Sequence, residues 1–138
     1  MLNRAAPKLP LSRWALGEVT PAGMKGRIVV VDFWATWCGP CLQAIPHNNQ
    51  LLARYRNRGV VLIGACTGGR EEGMEAVARA AGAAYPIALA APATAAAWKV
   101  KFFPTYAIID RKGVLRSIGI QPSYLEPVLD ALLAEQPR

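Results

Sequence analysis

A chain of 138 residues, 53% hydrophobic and 18% charged, is neither disordered nor fibrous and is long enough to bury a core of its own. The formal charge of +7 raises the question of an anionic partner, but the basic residues are scattered rather than gathered into a nucleic-acid stripe. Three cysteines are too few for a disulfide framework, so they serve chemistry or packing.

The tightest basic group, Arg54, Arg56 and Arg58, falls near the predicted end of a helix, where cations suit the negative end of the dipole. A docking patch for an acidic protein or a membrane surface is the alternative. No apolar run reaches the ~18 to 20 residues of a membrane helix. Asp32 interrupts the stretch from Ile28 to Trp37, and Pro86 and Pro92 interrupt the alanine-rich one. Arg4 and Lys8 are followed by no continuous apolar segment of ~7 to 15 residues, so no secretory signal is expected in this chain.

Residues 1–26, with Pro7, Pro10, Gly17, Pro21 and Gly23, read as an irregular lead-in carrying a short edge strand around Leu9 to Leu16. Arg27 to Phe33 is a β-branched run too continuous for a half-exposed strand and is predicted to be the central strand, buried on both faces. Cys41, Leu42, Ile45, Leu52 and Tyr55 then recur at helical spacing as far as Arg58, and Gly59 ends the pattern. Pro46 lies inside this long amphipathic helix and should kink it.

Val60 to Ala65 is a second buried strand, and the turn Thr67-Gly68-Gly69 leads into a helix from Glu71 to Ala81. Tyr85 to Leu89 follows as a short strand and Ala93 to Val100 as a helix after Pro92. Thr105 to Asp110 and Val114 to Ile118 form a hairpin across Arg111-Lys112-Gly113, and a helix from Pro122 to Ala134 closes the chain. This order predicts one α/β domain over residues 1–138, a mixed sheet with helices on both faces.

Trp37-Cys38-Gly39-Pro40-Cys41 stands at the junction of the central strand and the long helix, where open sheets place reactive groups. Two intervening residues at a helix's first turn bring two sulfurs within bonding distance. The unpaired amides and the dipole there favour the thiolate of the first, lowering a thiol pKa from ~8.5 into the range ~3.5 to 7.5. Cys38 is therefore the expected nucleophile, and Cys41, one turn inside, the resolving thiol. Pro40 costs no backbone donor at an early helical position and stiffens the loop. Zinc would need four ligands, and beyond the pair only Cys66 and His47 are on offer. Covalent haem needs histidine directly after the second cysteine, where Leu42 stands. Dithiol chemistry without metal or organic cofactor is the reading these residues favour.

The segment Val31-Asp32-Phe33-Trp34-Ala35-Thr36-Trp37-Cys38-Gly39-Pro40-Cys41 closely resembles the active-site segment of thioredoxins. Pro46 falls where that family's helix kinks, Phe103-Pro104-Thr105 resembles its cis-proline loop, and Gly119 resembles the glycine before its last helix, so the resemblance spans about residues 27–134. Phe33 to Cys38, an extra helix and strand between Cys66 and Lys99, and Ile108 to Gly113 look like the TlpA/ResA-type thioredoxin-like proteins. Two departures are Asp32, where that group often has Asn, and the short lead-in.

The resemblance implies a thioredoxin fold with an extra strand-helix insertion between the second core strand and the cis-proline. It implies a thiol–disulfide oxidoreductase, in monomeric form, that acts on protein disulfides and is recharged by an upstream protein electron donor. The bacterial periplasm or cell envelope is the implied location, with the cytoplasm as alternative and cytochrome c biogenesis as a possible setting. A non-catalytic binding adaptor and a metal carrier are the alternative functions.

Asp32, set in an apolar strand, should have a raised pKa and is a candidate proton acceptor for Cys41; otherwise it is a carboxyl satisfied by hydrogen bonds. The lysine that thioredoxins place beside this carboxyl is matched here to Ala65. By resemblance the Phe103–Pro104 bond is cis, Pro104 lies against the cysteines, and the Phe103 backbone pairs with an extended substrate. Trp37, with Gly39 and Pro40, forms an exposed platform by the same resemblance, whereas Trp34 is open to platform or core. Trp14 and Trp98 read as packing residues, Cys66 as an inert buried thiol or a regulatory one, and His47 as a solvated surface side chain.

Overall fold

Elements alternate along the chain: β1 (Leu11–Ala15), α1 (Pro21–Met24), β2 (Ile28–Trp34), α2 (Gly39–Tyr55), β3 (Val60–Cys66), α3 (Met74–Ala80), β4 (Ile87–Ala90), α4 (Pro92–Ala97), β5 (Thr105–Ile109), β6 (Leu115–Ile120) and α5 (Leu125–Ala134). They come from a computed structural model that describes residues 1–135. The strands form one six-stranded sheet in the order β1-β4-β3-β2-β5-β6. β2, β3 and β4 run parallel, while β1, β5 and β6 pair antiparallel with their neighbours.

β2 is the hub because its apolar, largely β-branched residues suit a strand covered on both faces, and all seven are buried. Their alternation splits the core in two. Ile28, Val30 and Trp34 project with Leu62, Cys66, Tyr106 and Ile108 under α2, α3 and α5. Val29, Val31 and Phe33 project with Ile63, Ala65, Ala107 and Trp98 to the other face, where the lead-in and the α4 end cover them. Trp98 is fully buried, its ring 5.6 Å from that of Phe33 and its indole N–H donating to the Lys8 carbonyl at 2.9 Å. Both Trp98 and Trp14 thus pack in this second core.

α2 carries the site and is tied down at its far end. Arg54 pairs with Glu126 on α5, and the Tyr55 hydroxyl donates to Asp130 at 2.7 Å. Arg54 and Arg58 both lie over the Tyr55 ring, and Arg58 is 4.0 Å from Asp130. Two members of the basic group are therefore paired with acids of α5 at the surface. Pro46 lies inside α2, and Gly59, at φ 80°, ends the 3-10 turn Arg56–Arg58 that follows.

The lead-in is more ordered than its composition suggests, with β1 on the β4 edge, the short α1, and Ala5 bridging to Val114. β4 begins at Ile87, two residues later than expected; Pro86 supplies no backbone donor. The helices expected from Glu71 and Pro122 each open as a 3-10 turn, Glu71–Gly73 and Pro122–Tyr124. No helix among the described residues is long and apolar enough to cross a membrane.

Candidate active site

Cys38 caps α2 and Cys41 lies in its first turn, with Cα atoms 5.3 Å apart and the two sulfurs joined in a disulfide. The Cys38 Sγ accepts the Cys41 backbone N–H at 3.2 Å, one of the amides that a helix start leaves without an internal partner. Pro40 occupies that first turn at no cost in hydrogen bonds. Both cysteines are buried, whereas Gly39 and Pro40 between them are exposed.

Around the pair stands an apolar rim. Trp37 is 53% exposed, yet it is held on two sides: its indole N–H donates to the Gly68 carbonyl at 2.9 Å, and its ring meets the Phe103 ring edge-on at 5.8 Å. Gly68 has φ +89°, and a Cβ there would come within 2.9 Å of Phe103, so only glycine lets this loop close on the aromatic pair. The Phe103–Pro104 peptide bond is cis, and the neighbouring Phe102 is exposed. Trp34 is buried, so it belongs to the core and not to the platform.

Behind the cysteines Asp32 is 1% exposed, and burial pushes its carboxyl up to about 7 from an ordinary 3.8, against a smaller lowering by the Asn48 amide. Asn48 Nδ2 donates to Asp32 Oδ2 at 3.1 Å and to the Tyr85 hydroxyl at 3.2 Å, while the Tyr106 hydroxyl donates to Asn48 Oδ1 at 2.9 Å. These three partners were invisible to motif reading. The one available signal was Asn48 itself, a polar residue on the apolar face of α2 seven positions after Cys41, hence two turns along the same stripe.

The position expected to replace the thioredoxin lysine needs correcting. Register sets Gly64 opposite Asp32, and Ala65 projects to the other face with Phe33. A Cβ on Gly64 would lie 3.0 Å from Ile87, 3.1 Å from Trp34 Nε1 and 3.2 Å from Tyr85, so a side chain beside the carboxyl would have to push its neighbours aside.

Cys66 ends β3 opposite Trp34, unbonded and buried, and burial pushes its thiol up to about 12, which keeps it protonated. His47 departs from the solvated reading. It is half-buried between α2 and α5, with Nε2 3.5 Å from Glu126 Oε1. Among the described residues no three His, Cys, Asp or Glu side chains converge into a metal cluster.

The chain is similar to known proteins. The family model described as Redoxin matches residues 3–133. The chain is 33% identical over 120 residues to the thioredoxin-like protein YneN of Bacillus subtilis, covering 86% of this chain and 71% of that protein. It is 30% identical over 118 residues to the thiol-disulfide oxidoreductase ResA of Geobacillus kaustophilus, covering 85% and 68%. A Chlorobium tepidum structure provisionally named thiol:disulfide interchange protein DsbE superposes with a TM-score of 0.83 at 28% identity, over 97% of this chain and 99% of that one. A thiol-disulfide isomerase from Corynebacterium glutamicum shares the fold with a TM-score of 0.85 at 20% identity, over 97% and 98%.

Proposed function

The chain belongs to the Redoxin family and is a thioredoxin-like thiol–disulfide oxidoreductase; from that premise we propose that Cys38 and Cys41 reduce disulfides in other proteins. The observation that supports this reading best is the bonded cysteine pair at the entrance of α2, with an amide N–H on the outer sulfur. An N–H aimed at Cys38 Sγ favours the thiolate there once the pair is reduced.

In the proposed cycle the Cys38 thiolate attacks one sulfur of a substrate disulfide. A Cys38–substrate bond forms, and the other substrate sulfur leaves with the electron pair. Cys41 then gives its thiol proton to Asp32 and attacks Cys38, so the internal disulfide forms as the second substrate sulfur departs as thiolate. Two electrons pass to the substrate, and a protein dithiol upstream must return them. Trp37, Gly39, Pro40, Phe103 and Pro104 form the surface on which an extended substrate segment would lie, its backbone paired at Phe103. The enzyme works in this reading as a monomer needing no metal or organic cofactor, in the bacterial cell envelope, and an apocytochrome is a candidate substrate. The likeness to ResA and DsbE proteins supports that setting.

Insulin reduction driven by a small dithiol tests the chemistry. Turnover by the native chain and none by Cys38→Ser is the expected result, whereas binding without turnover would leave only an adaptor. Trapping partners on Cys41→Ser in the native host tests the location, and recovery of cytoplasmic proteins alone would overturn it.

A further inference from the structure

We infer that Asn48 is a positioning residue for proton transfer, holding Oδ2 of Asp32 and leaving Oδ1 as the oxygen that exchanges a proton with Cys41. The inference rests on the role proposed above for Asp32. It starts from an oddity of the core: a buried carboxyl that makes no ion pair among the described residues, with Gly64, which carries no side chain, opposite it on β3. A carboxyl left loose in such a place would turn about its own axis and present either oxygen. Here one side chain prevents that.

Asn48 is fully buried and every hydrogen-bonding atom of its amide is engaged. Its two N–H bonds go to Asp32 Oδ2 and the Tyr85 hydroxyl, and its carbonyl accepts from Tyr106. An ionised carboxylate only accepts, so an N–H and not the C=O of the amide meets it, and the Tyr106 O–H on the amide oxygen holds that orientation. Asp32 Oδ1, in contrast, is buried and has no hydrogen-bond partner among the described residues. The anchored oxygen already has a donor on it; the orphaned one is open to a proton. The thiol that must lose that proton belongs to Cys41, on the same stripe of α2 two turns before Asn48.

The titratable groups that sense the Asp32 charge are Tyr85, Tyr106 on β5 and Cys66 at the end of β3, with the Cys41 thiol joining them once the pair is reduced. Burial first, and then the Asp32 charge, pushes both tyrosines up, and burial holds Cys66 at about 12. All three therefore stay neutral while Asp32 titrates, so a shift in the neutral range reports on Asp32 and the thiols of the cysteine pair, and in the mixed disulfide, where Cys38 is bonded, on Asp32 and Cys41.

The test compares the reduced native chain with Asn48→Leu, Tyr106→Phe and Asp32→Asn. Two quantities are followed with pH: the single-turnover release of substrate from the Cys38 mixed disulfide, and the carboxyl carbon resonance of Asp32. Asn48→Leu keeps the buried volume and removes the anchoring N–H, so both midpoints should rise by about one pH unit, a tenfold gain in proton affinity. Release at neutral pH should slow several-fold. Tyr106→Phe deletes only the hydroxyl that bonds the amide oxygen and should shift both midpoints the same way by less, which keeps the test open should the leucine variant not fold. A purely structural Asn48 would lower the unfolding temperature and leave both midpoints in place. That outcome, with Asp32→Asn still flattening the release profile, overturns the role of Asn48 alone. A release profile in Asp32→Asn equal to that of the native chain overturns the role of Asp32 beneath it.

Discussion

On one face of β2, Val29, Val31 and Phe33 meet Ile63, Ala65 and Trp98, and the indole N–H of Trp98 finds a carbonyl. On the other, Ile28, Val30 and Trp34 share the strand with Asp32, and two buried polar atoms there, Asp32 Oδ1 and Trp34 Nε1, have no partner among the described residues. The burial is the same and the hydrogen bonding is not. A strand's alternation makes the two faces independent designs: the first is free to pack for stability, while the second carries an incompletely satisfied carboxyl bonded to the helix that bears the cysteines. Unsatisfied polar groups of this kind persist where function needs them, at a cost in folding free energy.

Four substitutions separate those two tasks. Cys38→Ser should remove the reductase activity almost entirely, a loss on the order of a thousandfold or more in insulin turnover, with the unfolding midpoint of the reduced chain nearly unchanged. Trp98→Ala does the reverse: it should cost about 3 to 5 kcal/mol in denaturant unfolding, and activity per folded molecule should stay as it was. A large loss of turnover in folded Trp98→Ala would mean that the faces are coupled after all.

The pH dependence of stability sharpens the contrast further. Asp32 has a folded-state value of about 7 against 3.8 for an ordinary aspartate, so the folded chain keeps a proton that the unfolded chain releases first. Its stabilising contribution is therefore complete below about pH 4, declines as pH rises toward 7, and is gone above that. The decline amounts to as much as about 4 kcal/mol. Asp32→Asn should flatten that part of the profile and raise stability at pH 8, as read by thermal unfolding of the oxidised protein. The smallest effect belongs to the clasp that seats α2 over the polar face: Arg54 is largely exposed, so Arg54→Ala should cost under about 1 kcal/mol.

Legibility in the sequence followed the range of the interactions. The Ile28 to Trp34 strand and the helix after Cys38 were readable because periodicity, Pro40 and Gly59 act on their immediate neighbours. Edges were readable to within about three residues: β4 begins two residues late at Ile87, where Pro86 shifts the strand start, and α4 ends at Ala97, three residues before Val100. The polar cluster behind the cysteines was not: Asn48, Tyr85 and Tyr106 lie 37 and 58 positions from one another across the pairs they form, on a helix, a loop and a strand with no shared spacing. The match of Ala65 to the lysine position failed for the same reason, since one residue of register decides which face a side chain takes.

By itself the sequence determined a buried central strand, a cysteine pair at a helix entrance and an acidic residue stranded among apolar ones, all consequences of local residue chemistry. Only the tertiary structure decided what stands beside that acid: a glycine opposite it on β3, an asparagine from the helix layer, and a tyrosine bonded to the asparagine. Strand register and layer packing bring together groups far apart in the chain, and spacing along the chain carries no trace of such meetings.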